Sequence, residues 1–288
     1  MKNLFVLIKF FLFLFCSGTL CAQNNENGYS HLPLKVKDSP AFGKDVVIND
    51  QPTQDQQKVA ICSAFNGWLF AAVTYKDPLW GSVAVVSVMK SMDNGQSWSL
   101  LLNGWWPGGG DTKFTSVGIL ATGNTVENLK FILALVAVSS STGIGTGFVR
   151  VFNAGTGAYE SELCADPFCY DIALASDGLY PASNANPHSI GVLYSKSQFN
   201  LDSLIFTSSS NGGVSLDNRH GVATTGGRFH KVALTYGRSP SWATGRYFAA
   251  WEEQDDYGSM PGRIYTAHSE PNFNSPFTAP VRLDVLDP

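Results

Sequence analysis

Short apolar stretches recur along this chain with a period of about 55–60 residues, and that repeat limits the fold more than any other feature. One unit runs Lys58–Ile61, Trp68–Val73, Val83–Val88 and Ser99–Leu101. The last runs Lys231–Leu234, Tyr247–Trp251, Arg263–Ala267 and Val281–Leu283. Two weaker copies lie between them, with stretches near 113–121, 129–138, 147–153 and 158–163, then 169–176, 189–195, 203–208 and 219–224. The stretches are rich in β-branched and aromatic residues and are bounded by Gly, Pro, Asn, Asp and Ser, which is the strand signature.

Four strands per repeat in a wholly β chain predict an all-β β-propeller of four-stranded antiparallel blades, with four blades visible over residues 44–288. Val46–Asp50 precedes the first unit much as Val281–Asp284 ends the last, so closure by an exchanged outer strand is expected. The chain reads either as a small propeller or as the N-terminal part of a longer one. Of its 288 residues 44% are apolar and 15% charged, which excludes general disorder. A formal charge of −4 excludes a strongly basic nucleic-acid binder, since little here would neutralise phosphates.

Residues 1–22 read as a secretory signal peptide. Lys2 and Lys9 give a positive start, Phe10–Phe15 is apolar, and small residues lead to Ala22. The apolar run is short for the ~20 residues of a membrane span, and Thr19-Leu20 suits lipidation at Cys21 badly. Cleavage takes two lysines and no acid from the −4, leaving −6. Residues 23–43 are polar and aperiodic, a linker. The protein is therefore expected to be secreted or displayed at the cell surface. In an oxidising compartment Cys164 and Cys169 are expected to form a local disulfide, with Cys62 a small core residue. No His or Cys spacing suits a metal, and no cofactor is expected.

Ser91-Met92-Asp93-Asn94-Gly95-Gln96-Ser97-Trp98 has the pattern Ser-x-Asp-x-Gly-x-x-Trp. Ser209-Ser210-Asn211-Gly212-Gly213-Val214-Ser215-Leu216 is a degenerate copy, two periods later. These segments resemble the Asp-box, or BNR repeat, of the sialidase-like propellers. The physics of such a turn is structural. A short side-chain oxygen accepts backbone N–H groups of its own turn, Gly95 supplies a positive φ, and Trp98 covers the turn. Asp93 is thus a fold residue rather than a catalytic acid. In the family, the turn joins the third and fourth strands, opposite the binding face. The resemblance implies a binding face made from inter-blade and second-to-third-strand loops.

Those loops carry Asp55-Gln56-Gln57, Asp77-Pro78-Leu79-Trp80, Trp105-Trp106 with Asp111, Arg219-His220 and Glu252–Tyr257. Adjacent Trp105 and Trp106 would point to opposite faces of a strand, while in a Gly-rich loop one is exposed; packing of both between blades is the alternative. Glu252, Glu253, Asp255 and Asp256 read as a solvated hairpin tip, with a general acid/base or a calcium site as the functional alternatives. Gly143–Gly147 reads as a Gly-rich hairpin because no helix pattern follows it. The ligand-binding candidates are Trp80, Trp105, Trp106, Glu252, Asp255 and Tyr257, a mix suited to a neutral or cationic ligand. Sialidases hold a carboxylate with three arginines, yet no arginine precedes Arg150, so no catalytic residue carries over. The expected function is non-catalytic binding of a glycan or an extracellular protein, without nucleic acid or a membrane span. A divergent glycoside hydrolase is the alternative.

Overall fold

A computed structural model describes residues 48, 56–77, 83–105, 112–177, 189–198, 201–225, 228–237, 245–254, 262–270 and 276–284. The leader, the linker and the Val46–Asp50 stretch, apart from Ile48, lie outside the described residues. The remainder is all β, in four antiparallel four-stranded sheets. Blade 1 holds β1 (Gln56–Ser63), β2 (Leu69–Asp77), β3 (Val83–Ser91) and β4 (Ser99–Trp105). Blade 2 holds β5 (Thr112–Thr122), β6 (Lys130–Ser139), β7 (Gly145–Asn153) and β8 (Tyr159–Pro167). Blade 3 holds β9 (Cys169–Ser176), β10 (Ile190–Gln198), β11 (Leu201–Ser209) and β12 (Asp217–Thr225). Blade 4 holds β13 (Arg228–Gly237), β14 (Arg246–Gln254), β15 (Arg263–His268) and the two-residue β16 (Val281–Arg282). No helix among the described residues is long and apolar enough to cross a membrane.

Strand order within each blade follows chain order. β1 lies against β5, β5 against β9, and β9 against β13, so the first strand of each blade faces the common axis. The stacking follows from the period-2 alternation of side chains. On β6, Phe131, Leu133 and Leu135 pack toward blade 1 with Phe70, Val86 and Val88. The intervening Ile132, Ala134 and Val136 pack toward blade 3 with Ile172, Ile190 and Val192. On β14, Tyr247, Ala249 and Trp251 meet Leu193, Leu204 and Phe206 of blade 3. Phe131 stacks on Phe70 at 5.8 Å and on Phe152 at 4.9 Å between centroids. A polar link joins blades 1 and 2: the buried Lys90 ammonium lies 3.5 Å over the Trp68 ring and donates to the Ala154 carbonyl at 3.2 Å.

Alternation of strand direction gives the propeller two rims. The lower rim carries the first-to-second and third-to-fourth connections. The upper rim carries the second-to-third hairpins and the passages between blades. On the lower rim, the β3–β4 and β11–β12 turns share one hydrogen-bond scheme. Ser91 Oγ donates to Asp93 Oδ1 at 2.8 Å, and Ser209 Oγ to Asn211 Oδ1 at 2.8 Å. The same hydroxyls accept from Gly95 N at 2.8 Å and Gly213 N at 2.9 Å. Asp93 Oδ1 accepts Ser97 N at 2.9 Å, as Asn211 Oδ1 accepts Ser215 N at 3.0 Å. Gly95 and Gly213 both sit at φ +85°, where a side chain would be strained. Trp98 Nε1 closes the first turn on the Gly95 carbonyl at 3.2 Å.

The expected Cys164–Cys169 bridge is corrected: both are free thiols in this structure. Phe168, at φ +65°, turns the chain out of β8 so that Cys169 already opens the next blade. The buried Cys169 thiol donates to its own Asp171 carbonyl at 3.6 Å. It lies over Gly147, where an added Cβ would come within 2.8 Å of the sulfur. Gly145 and Gly147 in the Gly-rich stretch thus leave room for β9 to start across β7.

Hydrogen bonds from Ser97, both side chain and backbone, hold the Asp93 carboxyl down at about 2, against an ordinary 3.8. A depressed carboxyl pKa contributes stability above the unfolded value and loses it as pH falls toward the folded one. Protection of the Ser97 amide, its exchange rate taken relative to the intrinsic rate at the same pH, should therefore fall between pH 4 and pH 2, and Asp93→Asn should abolish this loss while keeping the turn; a pH-independent protection factor in the wild-type chain would contradict it. Asn211→Ala removes both acceptor and donor from a part-buried turn. It should destabilise by about 1–3 kcal/mol in a denaturant melt.

Candidate functional site

The upper rim of blades 2, 3 and 4 carries a continuous row of polar contacts. Asp171, on the inner strand β9, is its pivot. Its Oδ2 accepts Val232 N of β13 at 2.9 Å, its Oδ1 accepts Ile172 N at 3.0 Å, and its own N–H donates to Ser195 Oγ at 3.0 Å. On the other side, Thr115 Oγ1 of β5 donates to the Tyr170 carbonyl at 3.1 Å, and Ser116 Oγ donates to the Ile172 carbonyl at 3.1 Å. Three inner strands are thus tied at one level by side-chain to backbone bonds.

One step outward lies Asp166, on β8 and 7% exposed. Its carboxylate accepts Lys196 Nζ at 2.5 Å, Tyr194 Oη at 2.9 Å and Arg219 Nη2 at 3.2 Å. Burial first, and then the Asp166 charge, push the Tyr194 phenol above its ordinary pKa, so it stays a donor. This cluster joins blade 2 to blade 3. Chemically it is a satisfied buried ion pair, a register device rather than a proton-transfer pair.

The backbone of β13 departs from a regular strand at the same level. The register with β14 shifts between His230 and Ala233, and Lys231 sits at φ +49°. A non-glycine residue in the left-handed region is strained, and such strain clusters where a side chain has been re-aimed. Asp171 holds the amide immediately following, and the Lys231 side chain is exposed.

Of the residues chosen from the sequence, Trp80, Trp106, Asp255 and Tyr257 lie outside the described residues. Trp105 ends β4, opposite Val86, with only its strand position described. Glu252 is half-buried in β14, opposite His230, and accepts Gln254 Nε2 at 2.7 Å. Glu253 accepts a short hydrogen bond from Thr225 Oγ1. Glu252 and Glu253 therefore continue a strand, and the hairpin-tip reading is corrected for them. Arg219 and His220 also belong to a strand, β12, instead of a loop. Arg246 lies at the lower end of β14 beside Glu270 at 3.7 Å. Among the described residues no three His, Cys, Asp or Glu side chains converge as a metal site would require. Sequence reasoning missed Asp166, Tyr194, Lys196, Asp171 and Lys231. Nothing local marks them in the sequence: Asp166 sits between Ala165 and Pro167, and its partners come from another blade.

No protein-family model matches the chain, and no curated protein matches it in sequence. Solved structures do. A protein of unknown function from Dyadobacter fermentans DSM 18053 is 14% identical, with a TM-score of 0.54, over 83% of this chain and 72% of that one. An α-L-arabinofuranosidase from Fusarium graminearum, in complex with an iminosugar inhibitor, is 10% identical, with a TM-score of 0.55, over 79% and 66%. A Penicillium chrysogenum α-L-arabinanase complexed with arabinobiose is 14% identical, with a TM-score of 0.54, over 79% and 66%. The fold is a β-propeller. The chain spans 66% to 72% of the length of these structures, and the likeness at such identity is one of fold.

Replacing Asp166 by Ala strands Lys196 in a largely buried position and frees the Tyr194 hydroxyl. The variant should lose about 3 kcal/mol of stability in a denaturant melt. Arg219, with its side chain 55% exposed, should cost at most about 1 kcal/mol when changed to Ala. Equal losses for the two would contradict this division of the cluster.

Proposed function

We propose that this chain is an exported, non-catalytic glycan-binding propeller that displays its ligand face on the upper rim. In this reading residues 1–22 are a signal peptide, residues 23–43 a linker and residues 44–288 a sialidase-like propeller of the Asp-box kind. The observation that carries the non-catalytic reading is the state of the described carboxylates at that rim. Asp166, Asp171, Glu252 and Glu253 each accept a hydrogen bond that holds a strand or a neighbouring side chain. Glycoside hydrolysis asks instead for two carboxyls free to face a sugar, roughly 5–9.5 Å apart. The glycan part of the reading is supported by the arabinose-acting enzymes among the structural neighbours. Trp80, Trp106, Asp255 and Tyr257, with Trp105 at the end of β4 and Glu252 on β14, remain the candidate contact residues.

A glycan array probed with the purified chain, followed by reducing-end assays on every bound oligosaccharide and a fluorogenic sialoside, tests this. Binding without turnover is the expected outcome. Turnover that disappears in Glu252→Gln would establish the hydrolase reading in its place.

A further inference from the structure

We propose that the upper rim selects acidic glycans, with the Tyr170 ring as platform and the Lys113 and Lys231 ammonium groups as the anion seat. This rests on the glycan reading above and reverses the neutral or cationic preference drawn from the loop sequence. The placement follows from the inner-strand bonds. Thr115 reaches the Tyr170 carbonyl, so β5 and β9 are level there. Lys113 precedes Thr115 on β5, at the rim end of that strand and just before the bulge between Phe114 and Ser116. Asp171 reaches Val232 N, so Tyr170 and Lys231 are neighbours in level across β9 and β13.

Three properties make this a seat for an anion. Lys113 and Lys231 are exposed, and neither has an ion-pair partner among the described residues. Tyr170 is 37% exposed, which is enough to offer a ring to a sugar. The carboxylates described nearby are occupied, Asp171 by two backbone amides and Asp166 by Lys196, Tyr194 and Arg219. The bulge adds a reason of its own. A positive φ at Lys231 stands beside an amide held by the Asp171 carboxylate, whose other oxygen accepts Ile172 N while the Asp171 backbone N–H is tied to Ser195 Oγ of β10, and the strain re-aims one lysine out of the strand pattern. A local cationic seat on a chain of net charge −4 also gives attraction that acts only at this rim.

The test is isothermal titration of the purified chain with an oligogalacturonate, a sulfated oligosaccharide and a neutral arabino-oligosaccharide. The variants are Lys231→Gly, Lys231→Arg, Lys113→Gln and Tyr170→Ala. Lys231→Gly tolerates the positive φ, so it removes the amine without disturbing the bulge, and its unchanged melting temperature verifies the fold. The acidic sugars should bind at least tenfold tighter than the neutral one, and added salt should weaken them. Lys231→Gly and Lys113→Gln should each cost about tenfold, Tyr170→Ala a similar amount, and Lys231→Arg should restore binding. The carboxylated and sulfated arms identify which anion the seat prefers. Tight neutral binding that ignores both lysines would overturn this inference and leave the glycan reading standing. Failure of all three sugars to bind would overturn both.

Discussion

The two middle blades of this protein are sheets with apolar side chains on both faces, blade 2 packed between blades 1 and 3 and blade 3 between blades 2 and 4, so that neither face is left in water. That constraint governs the rest. Alternate residues of β6 serve two different cores, Phe131, Leu133 and Leu135 on one side and Ile132, Ala134 and Val136 on the other. A one-residue slip of this strand would exchange the two sets, so its register is fixed by both neighbours at once. At about 25 cal/mol for each Å² of apolar surface removed from water, the stacked faces supply most of the folding drive. Polar groups are left to the rims and to a few links between blades.

The two rims put those polar groups to different uses. On the lower rim they serve local turns: Asp93 and Asn211 satisfy amides within their own segments, and the glycines at φ +85° permit the path. On the upper rim they reach between strands that are distant in sequence. Asp166 gathers donors from β10 and β12, and Asp171 fastens β13 to β9. The upper rim is consequently where a bent strand and a strained Lys231 can be held in place. The free cations of that rim stand out because its described acids are already engaged.

Much of the fold was legible in the sequence because the signals are local. Period-2 apolar stretches with turn residues between them located all sixteen strands, most of them within a few residues of their observed ends. Ser91–Trp98 and Ser209–Leu216 carried their turn chemistry within eight residues each. The site was much less legible. Asp166 looks like an ordinary loop acid until Lys196 and Tyr194 arrive from the next blade. Lys231 sits in a run, Lys231-Val232-Ala233-Leu234, that reads as a regular strand; the bulge depends on Asp171, 60 residues earlier. The Cys164–Cys169 spacing suggested a bridge because sequence does not reveal that Phe168 separates two blades.

The account stands or falls on the tie between Asp171 and the β13 bulge, and a crystal structure of the chain grown with an acidic oligosaccharide tests it most directly. It should show Lys231 in the left-handed region, Val232 N on the Asp171 carboxylate, and the sugar over Tyr170 with its anionic group between Lys113 and Lys231. A regular strand through Lys231, or a sugar seated on the lower rim, would contradict it.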